Sequence, residues 1–108
     1  MEKGEKYLPI GTVVMLKGGS KRVMITGFYV IEEGKEDTAW DYSGCLYPEG
    51  LLQSNEVCLF DHAQIKEVYH IGLIDEEEKE FKKNLEQFIN QLDNMKKEET
   101  NKNNETEA

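Results

Sequence analysis

Residue types capable of chemistry lie at four places in the chain. The first is Gly18-Gly19-Ser20-Lys21, inside "LPIGTVVMLKGGSKRVMITG" (Leu8–Gly27). A phosphate-binding loop needs G-x-x-x-x-G-K-[ST] opening a helix, so that backbone amides converge on the anion. Here the glycines directly precede Ser20 and Lys21, and β-branched residues follow. The pattern is that of a hairpin turn, where glycine supplies positive φ. The second is the set Cys45, Cys58, His62 and His70. Their donor atoms suit tetrahedral zinc, but no C-x-x-C is present and each comes from a different element. The third is a thiol nucleophile, Cys58 or Cys45 with His62 as base and Asp61 as orienter. No strained nucleophile turn accompanies it. Cys45 and Cys58 also read as ordinary buried thiols, and two cysteines are too few for a disulfide scaffold. The reading assigns no catalytic residue, metal or cofactor.

The fourth place is apolar rather than reactive. Trp40, Tyr42 and Tyr47, with Pro48 and Phe60, form an aromatic cluster. Alternation puts Trp40 and Tyr42 on one strand face. That face is either core or a binding surface, since Trp and Tyr are frequent interface anchors. Downstream, Phe81, Leu85, Phe88, Leu92 and Met95 are spaced 4, 3, 4, 3, a heptad seam with Ile89 beside it. The seam packs on the protein's own sheet, or its distal residues Phe88, Ile89, Leu92 and Met95 meet a partner helix or a second copy.

These residues need elements to position them. Thr12–Lys17 and Lys21–Glu33 read as strands, with Gly27 marking a bulge or bend. Thr38–Tyr47 and Val57–Asp61 are further strands, joined by a loop over Pro48–Glu56 that has room for one turn. "DHAQIKEV" fits a short helix with Asp61 as N-cap, and Val68–Ile74 reads as the last strand. From Asp75 to Lys97 there is no Gly or Pro. Acids fill the first turn and Lys96 and Lys97 the last, as the helix dipole favours. At about 1.5 Å per residue that helix is roughly 30 Å long. The fold class is α+β: a small bent antiparallel sheet or SH3-like open barrel of about five strands, one short helix and one long C-terminal helix. One globular domain is expected over residues 8–97, with residues 1–7 and 98–108 disordered.

The chain has 108 residues and a formal net charge of -9. Residues 1–74 carry 11 acids and 7 bases, and residues 75–108 carry 11 acids and 6 bases. That balance opposes nucleic-acid binding, which needs phosphates neutralised, and docking on anionic membranes. No apolar run approaches a membrane span, and "MEKGEKYLPIG" lacks the apolar region of a signal peptide. A cytoplasmic protein with reduced thiols is expected.

Several phrases occur together: Leu8-Pro9-Ile10-Gly11, Gly18-Gly19, Asp41-Tyr42, Gly44, Tyr47-Pro48-Glu49-Gly50, Phe60, His62, Ile65, Val68 and Gly72 before the acidic run. On these residues the sequence resembles a Firmicute family, domain of unknown function 4176, over roughly Leu8 to Phe81. Ala63-Gln64 stand where that pattern carries acidic residues. The resemblance implies a genetic setting beside LXG toxins of the type VII (Esx) secretion system. It implies a cytoplasmic, non-enzymatic chaperone or targeting factor for an LXG toxin or its small helical export partners. An immunity protein that blocks a toxin domain is the alternative, since high acidity suits a mimic of nucleic acid.

Overall fold

The structure is a computed structural model. It describes residues 7–35 and 38–107, with side chains for residues 7–35 and 38–95. The chain divides into two compact units, Met1–Ile74 and Asp75–Ala108. The division falls where glycine disappears from the sequence and the acidic run begins.

The first unit is a five-stranded antiparallel open sheet in the order β4-β3-β2-β1-β5. Its strands are β1 (Val13–Leu16), β2 (Arg22–Val30), β3 (Trp40–Tyr47), β4 (Cys58–Phe60) and β5 (Ile65–His70). The first four expected strands are present in shortened form, and the fifth is shifted towards the N-terminus. Between β1 and β2 the chain reverses through the two glycines. Gly18 has φ +79° and Gly19 N–H donates to the Leu16 carbonyl at 3.0 Å. Positive φ is free of steric cost only for glycine, which accounts for that phrase without any bound phosphate.

The bend expected at Gly27 is a bulge. Ile25 pairs with Gly44 and Gly27 with Ser43, so Thr26 is the extra residue. Side chains alternate faces along a strand, and one inserted residue reverses the parity. The insertion keeps Val23, Ile25 and Phe28 on one side, facing Tyr42 and Phe60. That side is the main core: Val14, Ile25, Tyr42 and Phe60 are fully buried and Val23 nearly so. Tyr7 is buried as well, with its ring edge-on to Phe28 at 5.7 Å and to Tyr42 at 5.8 Å. The folded part therefore includes Tyr7, one residue before the expected bound at Leu8. Residues 1–6 lie outside the described residues.

The segment "DHAQIKEV" departs from expectation. Only His62–Gln64 are helical, as a single 3-10 turn, and β5 starts at Ile65 rather than Val68. The N-terminal signal was real: Gln64 Oε1 accepts from Asp61 N–H at 2.8 Å, and Gln64 N–H donates to the Asp61 carbonyl at 2.9 Å. Continuing the helix would leave the outer edge of β1 unpaired. Instead Val68 pairs with the fully buried Val14 and Ile65 with Leu16. Residues 71–75 have no regular structure, so the expected end of the last strand at Ile74 moves back to His70. The loop after Tyr47 holds its one turn at Ser54–Glu56.

Past β5 the chain crosses close to the start of β1. Gly72 N–H donates to Thr12 Oγ1 at 3.0 Å, and Thr12 is fully buried. A Cβ on Gly72 would lie 2.0 Å from the Ile10 carbonyl oxygen.

The second unit is the helix α1 (Glu76–Glu107). Asp75 is its N-cap, with Oδ1 accepting from Glu78 N–H at 2.9 Å. Lys82 pairs with Glu78 one turn earlier at 2.7 Å. The helix assignment runs beyond Lys97; the side chains of residues 96–108, on which the expectation of a disordered tail falls, lie outside the described residues. No described helix is long and apolar enough to cross a membrane.

These contacts separate two glycine substitutions. Gly18→Ala strains a turn open to solvent and costs about 1 kcal/mol, a melting shift of about 4–8 °C for a domain of this size. Gly72→Ala drives a methyl into backbone and costs more than about 3 kcal/mol. Thermal melts of both variants check the order, and equal melting temperatures would refute the close approach at Gly72.

Candidate functional site

Three features stand out: a buried polar network, an open concavity on the other sheet face, and the apolar seam of α1.

The network centres on Tyr42. Its ring packs between Phe60 (centroids 5.3 Å apart) and His62 (5.9 Å), with Phe28 at 6.2 Å. Its hydroxyl accepts from Leu8 N–H at 3.0 Å and lies 2.8 Å from His62 Nδ1. Two aspartates complete the join. Asp41 Oδ2 accepts from His62 N–H at 2.9 Å, and Asp61 Oδ1 accepts from Asp41 N–H at 3.0 Å. Burial pushes the Tyr42 phenol up to about 12; the Leu8 bond opposes the rise and the Asp41 charge adds to it. Asp41, Asp61 and His62 are thus engaged in holding β3, the 3-10 turn and the start of the chain together.

The residues of the reactive constellations read from the sequence have definite places in the sheet. Cys45 is buried in β3 and Cys58 half-buried in β4, while His62 is bonded to Tyr42 and His70 ends β5. Among the described residues, no group of three or more His, Cys, Asp or Glu side chains converges as a metal site. Burial, and to a lesser degree Cys45, pushes the Cys58 thiol up, away from the thiolate a nucleophile needs.

The aromatic cluster is likewise divided. Tyr42 is fully buried and belongs to the core, so it is corrected from a contact residue to a structural one. Trp40 shares its side of β3 but is half-buried, and its Nε1–H donates to Glu32 Oε1 at 2.7 Å. Tyr47 has the opposite parity in a strand without irregularity, so it stands on the other face, where it is exposed. The three aromatics do not form one surface.

Around Tyr47 the sheet forms the concavity, with a volume of about 530 Å³. Val13 and Met24 floor it, and Arg22, Tyr47, Tyr69 and His70 line it. The Arg22 guanidinium lies 5.0 Å from the Tyr47 ring centroid and 5.6 Å from that of Tyr69. At exposed sites such a cation–π contact is worth about 0.5–1 kcal/mol. Tyr69 and His70 both line it because β5 is bulged: Val13 pairs with His70 and Val14 with Val68, leaving Tyr69 extra. The hydrogen bond to Glu67 raises the Tyr69 phenol above its ordinary value, with burial and the Glu67 charge adding and Arg22 opposing. The neighbouring Lys21 is committed elsewhere, 2.7 Å from Glu49, and its hydrogen bond holds that carboxyl below the usual range. Sequence reasoning missed Arg22 and Tyr69. The available signal was that Arg22 is the chain's one arginine.

On α1 the seam residues Phe81, Phe88 and Met95 recur every seven positions, each more than half exposed. Ile89 and Leu92 are half-exposed. The sequence-predicted contact residues are divided between the two units: Tyr47 on the sheet, and Phe88, Ile89, Leu92 and Met95 on the helix.

The profile of the family described as domain of unknown function (DUF4176) matches residues 7–81, most of the chain. The chain belongs to that family. The DUF4176 match starts at Tyr7, the first buried aromatic, and takes in the Tyr42 network, the concavity and the first turns of α1. Neither a curated protein nor a solved structure shows significant similarity to this DUF4176 chain.

The Tyr42 phenol gives a pH signature. The unfolded chain ionises it near 10 and the folded protein near 12, so the neutral form is the one the fold favours. Its contribution is complete below pH 10 and is lost between pH 10 and 12, about 2–3 kcal/mol in all. Denaturant melts across that range should show the decline in the parent protein. Tyr42→Phe, already destabilised by about 1–3 kcal/mol through the orphaned Leu8 amide, should show a shallower one. An identical decline in both would remove Tyr42 as the cause.

Proposed function

We propose that this protein is a non-enzymatic, cytoplasmic accessory protein that binds an LXG toxin, or the small helical partners exported with it. Its role is that of a chaperone or targeting factor for type VII secretion. The observation that carries the binding role is the seam of α1: Phe81, Phe88 and Met95, seven residues apart and each more than half exposed. A heptad-spaced apolar stripe is what a helical partner's own stripe packs against. Burying it removes apolar surface from water at about 25 cal/mol per Å². The identity of the partner and the compartment come from the resemblance to the toxin-associated family. The acids clustered in the first turn of α1 favour approach to a basic face.

Co-expression with the toxin and its export partners tests this reading. Phe88→Asp combined with Leu92→Asp should lower co-purification of the toxin at least about tenfold, as loss of an interface anchor does. Circular dichroism should show the helix retained. Undiminished capture by the double variant would refute the helix as the contact. Separate halves of the toxin distinguish the two roles: capture of the N-terminal half supports the chaperone, and capture of the C-terminal catalytic half the immunity protein.

A further inference from the structure

The concavity lies on the sheet, and its groups differ in kind from those of the α1 seam. Its floor, Val13 and Met24, is apolar, and its rim carries hydrogen-bond donors. Arg22 dominates that rim. Its guanidinium lies near two tyrosine rings, and no described carboxylate pairs with it. A guanidinium set over a ring face still has N–H donors to spare, and a planar two-oxygen acceptor is their best match. Lys21, the nearest other cation in sequence, is held by Glu49.

We propose that Arg22, Tyr47, Tyr69 and His70 form a binding site for a carboxylate carried on an apolar body. The carboxylate meets the N–H donors of Arg22, and the apolar body lies over Met24 beside the tyrosine rings. A monoanion fits better than a phosphate. Among the described residues, Arg22 is the one permanent cation lining the concavity. Glu67, which holds the Tyr69 hydroxyl, sets a negative charge beside it. The volume is within the range of small-ligand sites, about 300–1,000 Å³. The formal charge of the whole chain, -9, opposes anions at long range. That repulsion is screened beyond about 8–10 Å at physiological salt, so recognition depends on the short-range contacts of Arg22.

The carboxylate has two sources with the same chemistry: a chain terminus or free acid, and an acidic side chain within a peptide. Nuclear magnetic resonance on the full chain distinguishes them, helped by the single arginine, whose side-chain Nε–H gives one signal. The probes are N-acetyl-phenylalanine, its neutral amide, acetyl-Glu-Phe-amide and phenyl phosphate. At least one of the two carboxylates should shift the Arg22 signal saturably, with a dissociation constant of order 1 mM. The one that does so names the source. The neutral amide should bind at least about tenfold more weakly. Arg22→Gln, followed through the backbone amides of Tyr47 and Tyr69, should lose the response while keeping the dispersion of a folded sheet. Tyr47→Phe, which retains the ring, should keep it. Equal responses to acid and amide would overturn the proposal. So would an undiminished response in Arg22→Gln, binding of phenyl phosphate alone, or no shift with any probe up to about 20 mM.

Discussion

A phenolic hydroxyl in the middle of a small core has to be bonded, because an unsatisfied buried polar group costs about as much as the core gains from a well-packed side chain. In this sheet the hydroxyl belongs to Tyr42, and its partners come from far along the chain. Leu8 is 34 positions before it and His62 is 20 after it. Satisfying that one atom fixes where the N-terminal segment enters and where the chain turns between β4 and β5. The aspartates repeat the device at backbone level, Asp41 bonding the amide of His62 and Asp61 the amide of Asp41. Residues with the look of an acid–base cluster are thereby committed to topology.

That commitment explains which parts of the fold were legible in the sequence. Local features were. The turn at Gly18-Gly19, the bulge near Gly27, the five strands and the capped start of α1 each depend on residues within a few positions. The 3-10 turn shows where local reading ends. Asp61 and Gln64 form a genuine helix-start signal, but Ile65 and Val68 are needed by β1, and pairing with a fully buried neighbour outweighs a few tenths of a kcal/mol of helix preference. Tyr7 was read with its charged neighbours, because nothing nearby shows that Phe28 and Tyr42 await it.

The candidate surfaces were legible only in part. Heptad spacing picked out the α1 seam, of which Phe81, Phe88 and Met95 are exposed and Leu85 and Leu92 half-exposed. The aromatic cluster was legible in part: alternation put Trp40 and Tyr42 on one face without saying whether that face is core, and Tyr47 was grouped with them. Parity in β3 separates Tyr42 from Tyr47, sending one to the core and the other outward. Arg22 and Tyr69 escaped notice for another reason. They are 47 positions apart, and only a bulge in β5 brings the second ring to the first residue's side chain. A cation resting between rings from β3 and β5 is a product of tertiary register. No window of sequence contains it.

The same irregularity in β5 bears on solubility. An open sheet has two unpaired margins, here β4 and β5, each a template on which another chain could lay a strand. β4 is three residues long, too short to hold a foreign strand in register. β5 is longer, but its pairing with β1 slips twice along six residues, which breaks the even spacing of its outward amides and carbonyls. The margin that gathers Tyr69 and His70 is therefore also a poor seed for sheet growth between molecules. The margin presents side chains outward while withholding its backbone from another strand.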